Sequence, residues 1–204
     1  LTISNIGFKL KKRRRFVMIE IRTHGRGGQG AVVASKILAD AAFRIGKYAQ
    51  SFPQFGVERR GAPVVAFTRI AESSNELPVR SNIYEPDHIM VLDPTLLSLP
   101  DTFSGLKEGG WVIINTPSPP EALDIPTKYK VATVDASEIA VKYGLGSKAQ
   151  PIVNTAILGA FAKILEHVIP LAAIIESIPE EVPTKPDANQ KACEEAYHLT
   201  QIRI

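Results

Sequence analysis

Two apolar rhythms alternate along this chain. Short β-branched or aromatic runs give way to longer stretches in which apolar residues return every three or four positions, the periods of strand and helix. Residues 19–23 predict a first strand. Residues 31–45 predict a helix, with Val33, Ile37, Leu38, Ala41, Ala42 and Ile45 on one stripe and Gly46 ending it. Residues 48–52 read as a second strand, 64–70 as a third, and 79–83 as its hairpin partner across a polar stretch. Residues 88–92 and 111–115 are buried-type strands separated by a short helix within 96–106. Residues 131–135 form another strand, followed by a helix at 137–143. A strongly apolar helix spans 154–167, and the last helices, 170–178 and 187–200, flank a proline-rich connector at 179–186. This alternation predicts an α/β fold, a Rossmann-like three-layer sandwich with a mainly parallel sheet and a β-hairpin extension. No internal repeat interrupts it, so residues 18–204 are expected to form one domain behind a basic leader, residues 1–17.

Charge sharpens that division. The leader holds Lys9, Lys11, Lys12, Arg13, Arg14 and Arg15 and no acid; the remaining chain has 18 basic and 21 acidic residues, a net charge of −3 against +3 for the whole. Such a block suits a nucleic-acid or membrane surface, but it lacks the apolar core of about 7–15 residues that a signal peptide needs. The favoured reading is a non-native leader. Met18 stands where the first strand begins, and an AGG-AGG purine tract upstream of a start codon, if translated, reads as consecutive arginines. Codons other than AGG at Arg13, Arg14 and Arg15 would exclude that origin. Neither a nucleic-acid nor a membrane partner is expected, since no apolar run reaches the ~18 residues of a span. The single cysteine, Cys193, cannot form an intrachain disulfide or hold an iron–sulfur cluster, which takes about four cysteines. The cytoplasm is the expected compartment.

The densest chemistry lies between the first strand and the first helix. Gly25, Gly27 and Gly30 stand at Gly-x-Gly-x-x-Gly spacing, with Arg26, Gly28 and Gln29 between them. Such a turn aims backbone N–H groups and the positive end of a helix dipole at one spot, a place for an anion and most often a phosphate. Arg26, Gln29 and Lys36 favour an external phosphate, with Arg26 projecting from the loop and Lys36 nearly two turns along the helix. The blander alternative is that the glycines only permit a tight turn and close helix–sheet packing. A nicotinamide dinucleotide site also wants an acid at the end of the second strand. Tyr48-Ala49-Gln50-Ser51-Phe52 supplies none.

A second loop, residues 51–63, gathers Phe55, Gly56, Glu58, Arg59, Arg60 and Gly61. This mix commonly faces a ligand or another subunit, although a solvated Glu58–Arg pair beside a turn explains it too. Asp93 before Pro94 reads first as a helix cap, and Asn154 likewise as an N-cap, with ligand contact second in both cases. His24, His88, His167 and His198 sit on separate elements without metal-ligand spacing, so no metal site and no catalytic residue are expected. His24, beside the glycine loop, is expected to have a core or turn role.

The run His24-Gly-Arg-Gly-Gly-Gln-Gly30 with Gly56-Val-Glu-Arg-Arg-Gly-Ala62 resembles the gamma subunits of the 2-oxoacid:ferredoxin oxidoreductases, above all the pyruvate-using branch, pyruvate synthase. Residues 64–69, 87–93 and 154–159 fit the same pattern, so the likeness runs from about Met18 to the last helix. Ala62 departs from the paired glycines that the family often shows there. The resemblance implies a non-redox subunit of a complex that converts pyruvate, coenzyme A and oxidised ferredoxin to acetyl-CoA, CO2 and reduced ferredoxin. Thiamine diphosphate, Mg and iron–sulfur clusters would belong to other subunits, and the partners would be the alpha, beta and delta subunits, with ferredoxin reached through the complex. By the same resemblance, Gly25, Arg26, Gly27, Gly28, Gln29, Gly30 and Lys36 would meet coenzyme A phosphates, and the isolated chain would be inactive. The alternatives are a structural assembly subunit with no ligand, a gamma subunit serving 2-oxoisovalerate, 2-oxoglutarate or indolepyruvate, and a stand-alone dinucleotide-binding protein.

Overall fold

The computed structural model describes residues 18–54, 61–78 and 80–204. The first strand, β1 (Ile19–Arg26), runs three residues beyond the predicted segment, because its ladder with β3 (Pro63–Ala71) continues to Arg26 opposite Pro63. The helix α1 (Ala31–Arg44) buries Ile37, Leu38, Ala41 and Ala42 of the expected stripe together with Ala31 and Ala34, whereas Val33 is half-buried and Ile45, just past the helix, is exposed. Gly46, at φ 77°, ends it: its amide donates to Phe43 O and that of Lys47 to Ala42 O, the left-handed helix close that glycine permits. The chain continues through β2 (Tyr48–Pro53), β3, β4 (His88–Val91), a 3-10 turn (Pro94–Ser98) and the one-turn helix α2 (Pro100–Phe103). Then follow β5 (Trp111–Asn115), β6 (Lys130–Val134), α3 (Ala136–Lys142), a two-residue hairpin β7 (Gly146–Ser147) with β8 (Gln150–Pro151), α4 (Asn154–Leu165), α5 (Leu171–Glu181), α6 (Pro186–Leu199) and β9 (Gln201–Arg203).

The sheet has seven strands in the order β2-β3-β1-β4-β5-β6-β9. Its centre, β1-β4-β5-β6, is parallel, while β3 and β2 on one side and β9 on the other are antiparallel. The α/β reading with a parallel sheet and an antiparallel extension therefore holds, but the hairpin is built differently. Residues 80–83 form no strand, and Val79 lies outside the described residues. Both edges of β3 are already occupied by β1 and β2, so no ladder remains for a further partner. The proline-rich connector is shorter than expected as well, because α5 runs through Pro179. Proline cannot donate to the carbonyl four residues back, and Gln190 Nε2 on α6 supplies the bond to Ile175 O instead, at 2.9 Å.

The layers are unequal. Ile21, Met90, Leu92, Ile113, Ala132 and Val134 face α1, α3, α4, α5 and α6, and this side holds the main core around Ile157, Leu158 and Phe161. The other side carries two smaller clusters under short turns rather than long helices. One gathers Ile89, Val91, Val112 and Ile114 with Leu96 and Tyr129; the other is Phe52, Phe67 and Ile83. In sheets of this kind ligands bind outside the carboxyl ends of the strands, where successive connections leave in opposite directions. Here that point lies between β1, which leads towards β2, and β4, which leads towards β5.

Candidate functional site

A cleft of about 720 Å³ opens at that point, within the size range of small-molecule sites. Arg26, Gly27, Gly28 and Gln29 at the end of β1, Gly61, and Asp93 after β4 form one side. The β7–β8 hairpin faces them with Ser147, Gln150 and Ile152. The expected glycine loop and Asp93 thus meet in space. The hairpin wall is a residue set that sequence reasoning missed; its only signal was the polar stretch between Gly144 and Pro151.

The loop is held by its own side chains. Arg26 does not project freely: Nε bonds Asp93 Oδ2 at 3.0 Å, Nη2 donates to Thr95 Oγ1 and Nη1 to Gly61 O. Gln29 folds back, its Oε1 accepting from the Arg26 amide at 2.8 Å and its Nε2 donating to Asp93. Asp93 also caps the following 3-10 turn by accepting from the Thr95 amide. The capping expectation holds, and the same carboxylate anchors the loop. Burial alone would raise the Asp93 pKa, but bonds from the Thr95 hydroxyl and amide, the Arg26 charge and the Gln29 amide outweigh it and hold the carboxyl below its ordinary value.

Several amides that the motif was expected to aim at a ligand are already used. Arg26 N goes to Gln29, Gly27 N to Ala62 O, and Gln29 N to Arg26 O. The glycines also divide by role. Gly28, at φ 103°, has open space where a Cβ would stand and lies on the cleft wall. A Cβ on Gly30, at φ 87°, would lie 2.7 Å from Asn154 Nδ2, so this glycine is fixed by packing against α4. Gly25 likewise packs against Ala31. Asn154 is not the N-cap, which is Val153; it is the first residue of α4, buried, and its Oδ1 accepts from the Thr155 amide. Lys36 is exposed on α1 and is not part of the cleft wall. Phe55, Gly56, Glu58, Arg59 and Arg60 lie outside the described residues, whereas Gly61 ties the two loops together by donating to Gly27 O at 3.1 Å.

His24 is not part of the cleft wall. It is buried, and its Nε2 accepts from Arg22 Nε at 2.9 Å. Cys193 is fully buried in α6, and desolvation pushes its thiol above the ordinary value, which makes it an inert packing residue. One buried cysteine is no ligand set for an iron–sulfur cluster. Among the described residues no group of three His, Cys, Asp or Glu side chains could hold a metal ion, and no helix is long and apolar enough to cross a membrane.

Comparison with known proteins places the chain in a family. Residues 20–199 match the profile of the family described as pyruvate ferredoxin/flavodoxin oxidoreductase. The chain is 52% identical over 189 residues to the pyruvate/ketoisovalerate oxidoreductases common subunit gamma of Thermococcus kodakarensis, covering 91% of this chain and 98% of that one. It is 49% identical to the pyruvate synthase subunit PorC of Methanothermobacter thermautotrophicus, covering 92% and 99% of the two chains. Among solved structures, the crystal structure of pyruvate oxidoreductase subunit PORC from Thermotoga maritima superposes with a TM-score of 0.75 at 37% identity, over 92% of this chain and 99% of that one.

Proposed function

Because the chain belongs to the pyruvate ferredoxin/flavodoxin oxidoreductase family, as one of its gamma subunits, we propose that it receives the phosphate-bearing part of coenzyme A in the glycine-loop cleft of a pyruvate:ferredoxin oxidoreductase. The observation that carries this reading is Gly28, held at a positive φ on the wall of a 720 Å³ cleft at the sheet's switch point, with nothing in the space above it. A bare backbone there lets an anion approach the loop more closely than a side chain would allow. Arg26, Gln29 and Asp93 keep the loop in shape, Gly25 and Gly30 seat it on α1 and α4, and Lys36 adds charge from outside the wall.

In the complete complex the alpha, beta and delta subunits would carry thiamine diphosphate, Mg and the iron–sulfur clusters. Those groups supply the decarboxylation and the electron transfer to ferredoxin. This chain would hold coenzyme A for acetyl transfer and help the complex assemble, in the cytoplasm and without chemistry of its own. A second reading follows from the Thermococcus relative, whose name makes it common to pyruvate and ketoisovalerate oxidoreductases. The same chain would then serve two complexes, with the choice of 2-oxoacid lying in the other subunits.

Isothermal titration of coenzyme A, with NAD as control, into the chain alone and into the assembled complex tests the proposal. Binding to either, with none for NAD, supports it; binding to neither leaves an assembly role. Ser147→Glu places a negative charge on the cleft wall without touching the glycine loop. It is expected to raise KM for coenzyme A about tenfold with assembly intact, a loss of about 1.4 kcal/mol. Lys36→Ala is expected to raise that KM less, and an unchanged value removes Lys36 from the site.

A further inference from the structure

The face of the sheet away from the long helices contains a largely buried arginine that forms no ion pair among the described residues and meets only the more distant charge of Asp101. On β1, Arg22 stands opposite Phe67 and His24 opposite Val65. Arg22 is only 7% exposed and makes no ion pair among the described residues. Its Nη2 donates to the carbonyls of Asp101, Thr102 and Ser104 at 3.2, 3.0 and 2.8 Å, and its Nε donates to His24 Nε2. These bonds fix the plane of the guanidinium, but every acceptor is neutral. Nη1 has no partner among the described residues. The neighbouring Arg69 differs in having a carboxylate partner: Glu20, directly opposite it in the ladder, accepts from its Nε at 2.8 Å, although the Arg69 Nη1 is itself buried without a hydrogen bond among the described residues.

His24 cannot act as the missing anion, and it is not a second cation. Burial, followed by the Arg22 charge, pushes its pKa down to about 3, so it is neutral at ordinary pH. With Nε2 accepting from Arg22, the ring proton sits on Nδ1 and offers another donor. Arg22 and His24 both line a cavity of about 370 Å³, separate from the glycine-loop cleft and at the small end of ligand pockets, which run from about 300 to 1,000 Å³. Val65, Phe67, Ile83 and Leu96 supply apolar wall. Tyr84 and Leu99, 75% and 40% exposed, also line it, next to solvent. Among the described residues Asp101 supplies the only carboxylate of this wall; it is exposed and hydrogen-bonds Arg22 through its backbone oxygen, so that its charge only partly offsets the desolvation that lowers the Arg22 pKa.

A largely buried guanidinium whose unpaired donor edge lines a cavity favours an anion there, and a planar fork of N–H groups fits a carboxylate. We propose that this cavity binds a small organic carboxylate with an apolar body, its carboxylate on Arg22 Nη1 and its hydrocarbon part against Val65, Phe67 and Ile83. The site is independent of the coenzyme A reading, because the two pockets share no residue.

The test titrates butyrate and hexanoate into the full chain, with butyramide, hexanamide and inorganic phosphate as controls, following the His24 ring nitrogens by NMR. Both acids are expected to saturate, hexanoate more tightly, with the amides at least about tenfold weaker for want of charge and phosphate without effect. Arg22→Lys keeps the charge but loses the fork and is expected to weaken hexanoate about tenfold. Leu99→Trp narrows the pocket near solvent without touching Arg22 and is expected to abolish binding while leaving the coenzyme A titration unchanged. Failure of both acids to saturate overturns the proposal, as does equal binding of acid and amide or undiminished binding in both variants. Arg22→Lys blocking subunit assembly while neither acid binds also overturns it, and assigns the cavity to an acidic side chain of another subunit.

Discussion

On one side of the sheet, α1, α4 and α6 cover a continuous apolar surface in which Ile37, Ile157 and Phe161 are fully buried. On the other, two small clusters lie apart, and Arg22 and His24 stand on the same face of β1, lining the cavity beside Phe67 and Leu96. Periodic apolar stripes close the first face. The second is closed by single polar contacts, Arg22 binding the turn at Asp101, Thr102 and Ser104, and Arg69 binding Glu20 and Ser81. The difference shows where this fold has spare capacity. The helix-packed face keeps its cavity to the edge, where about 500 Å³ opens between α3 and α6, whereas the face stitched by side chains leaves a cavity with an unspent donor over the sheet itself.

The contrast is broken most strongly from the helical side. Phe161→Ala is expected to cost about 3–5 kcal/mol in urea unfolding, because its neighbours on three helices cannot collapse into the void. Leu96→Ala, equally buried but under a short turn free to adjust, is expected to cost about 2 kcal/mol, the low end for such a truncation. Equal losses would show that both faces are packed alike. Glu20→Gln is expected to cost about 1 kcal/mol: it strips the charge facing Arg69, but Glu20 keeps 17% side-chain exposure and glutamine still accepts a hydrogen bond.

The smallest effect at neutral pH comes from the histidines. His24 and His88 are lowered from 6.5 to about 3 and about 4, by burial first. Between those values and 6.5 the unfolded chain binds more protons than the folded one, so stability rises with pH across that window and falls as the solution is acidified. Protonation would also break the acceptor roles of His24 Nε2 towards Arg22 and His88 Nδ1 towards the Trp111 amide. His24→Asn is expected to flatten the slope of unfolding free energy against pH between about 3 and 6.5. An unchanged slope would assign acid sensitivity to other groups.

Most of the helices and parallel strands were legible because each carries its own period. The centre of the α1 stripe, Ile37, Leu38, Ala41 and Ala42, and its stop at Gly46 are the clearest case. The misreadings arose where a distant residue decided. Residues 79–83 have strand-like composition, yet β3 had no free edge to offer them. Pro179 reads as a helix breaker, yet Gln190 on the next helix bonds the carbonyl it leaves open. At the candidate site the motif located the loop, but not that Arg26 would turn inward onto Asp93 and Thr95, nor that Asn154 would press on Gly30.

The sequence alone determined the order of strands and helices, the place of the glycine loop between β1 and α1, and the family, because those rest on local periodicity and on contiguous motifs. Tertiary structure alone decided which glycine stays open, which hairpin forms the far wall of the cleft, and that Arg22 meets the backbone of residues 101–104 without an ion pair among the described residues. Those outcomes depend on groups from 80 positions apart, as for Arg22 and Thr102, to the still longer separation of Gly30 and Asn154, and a chain carries no local record of which neighbours its fold will supply.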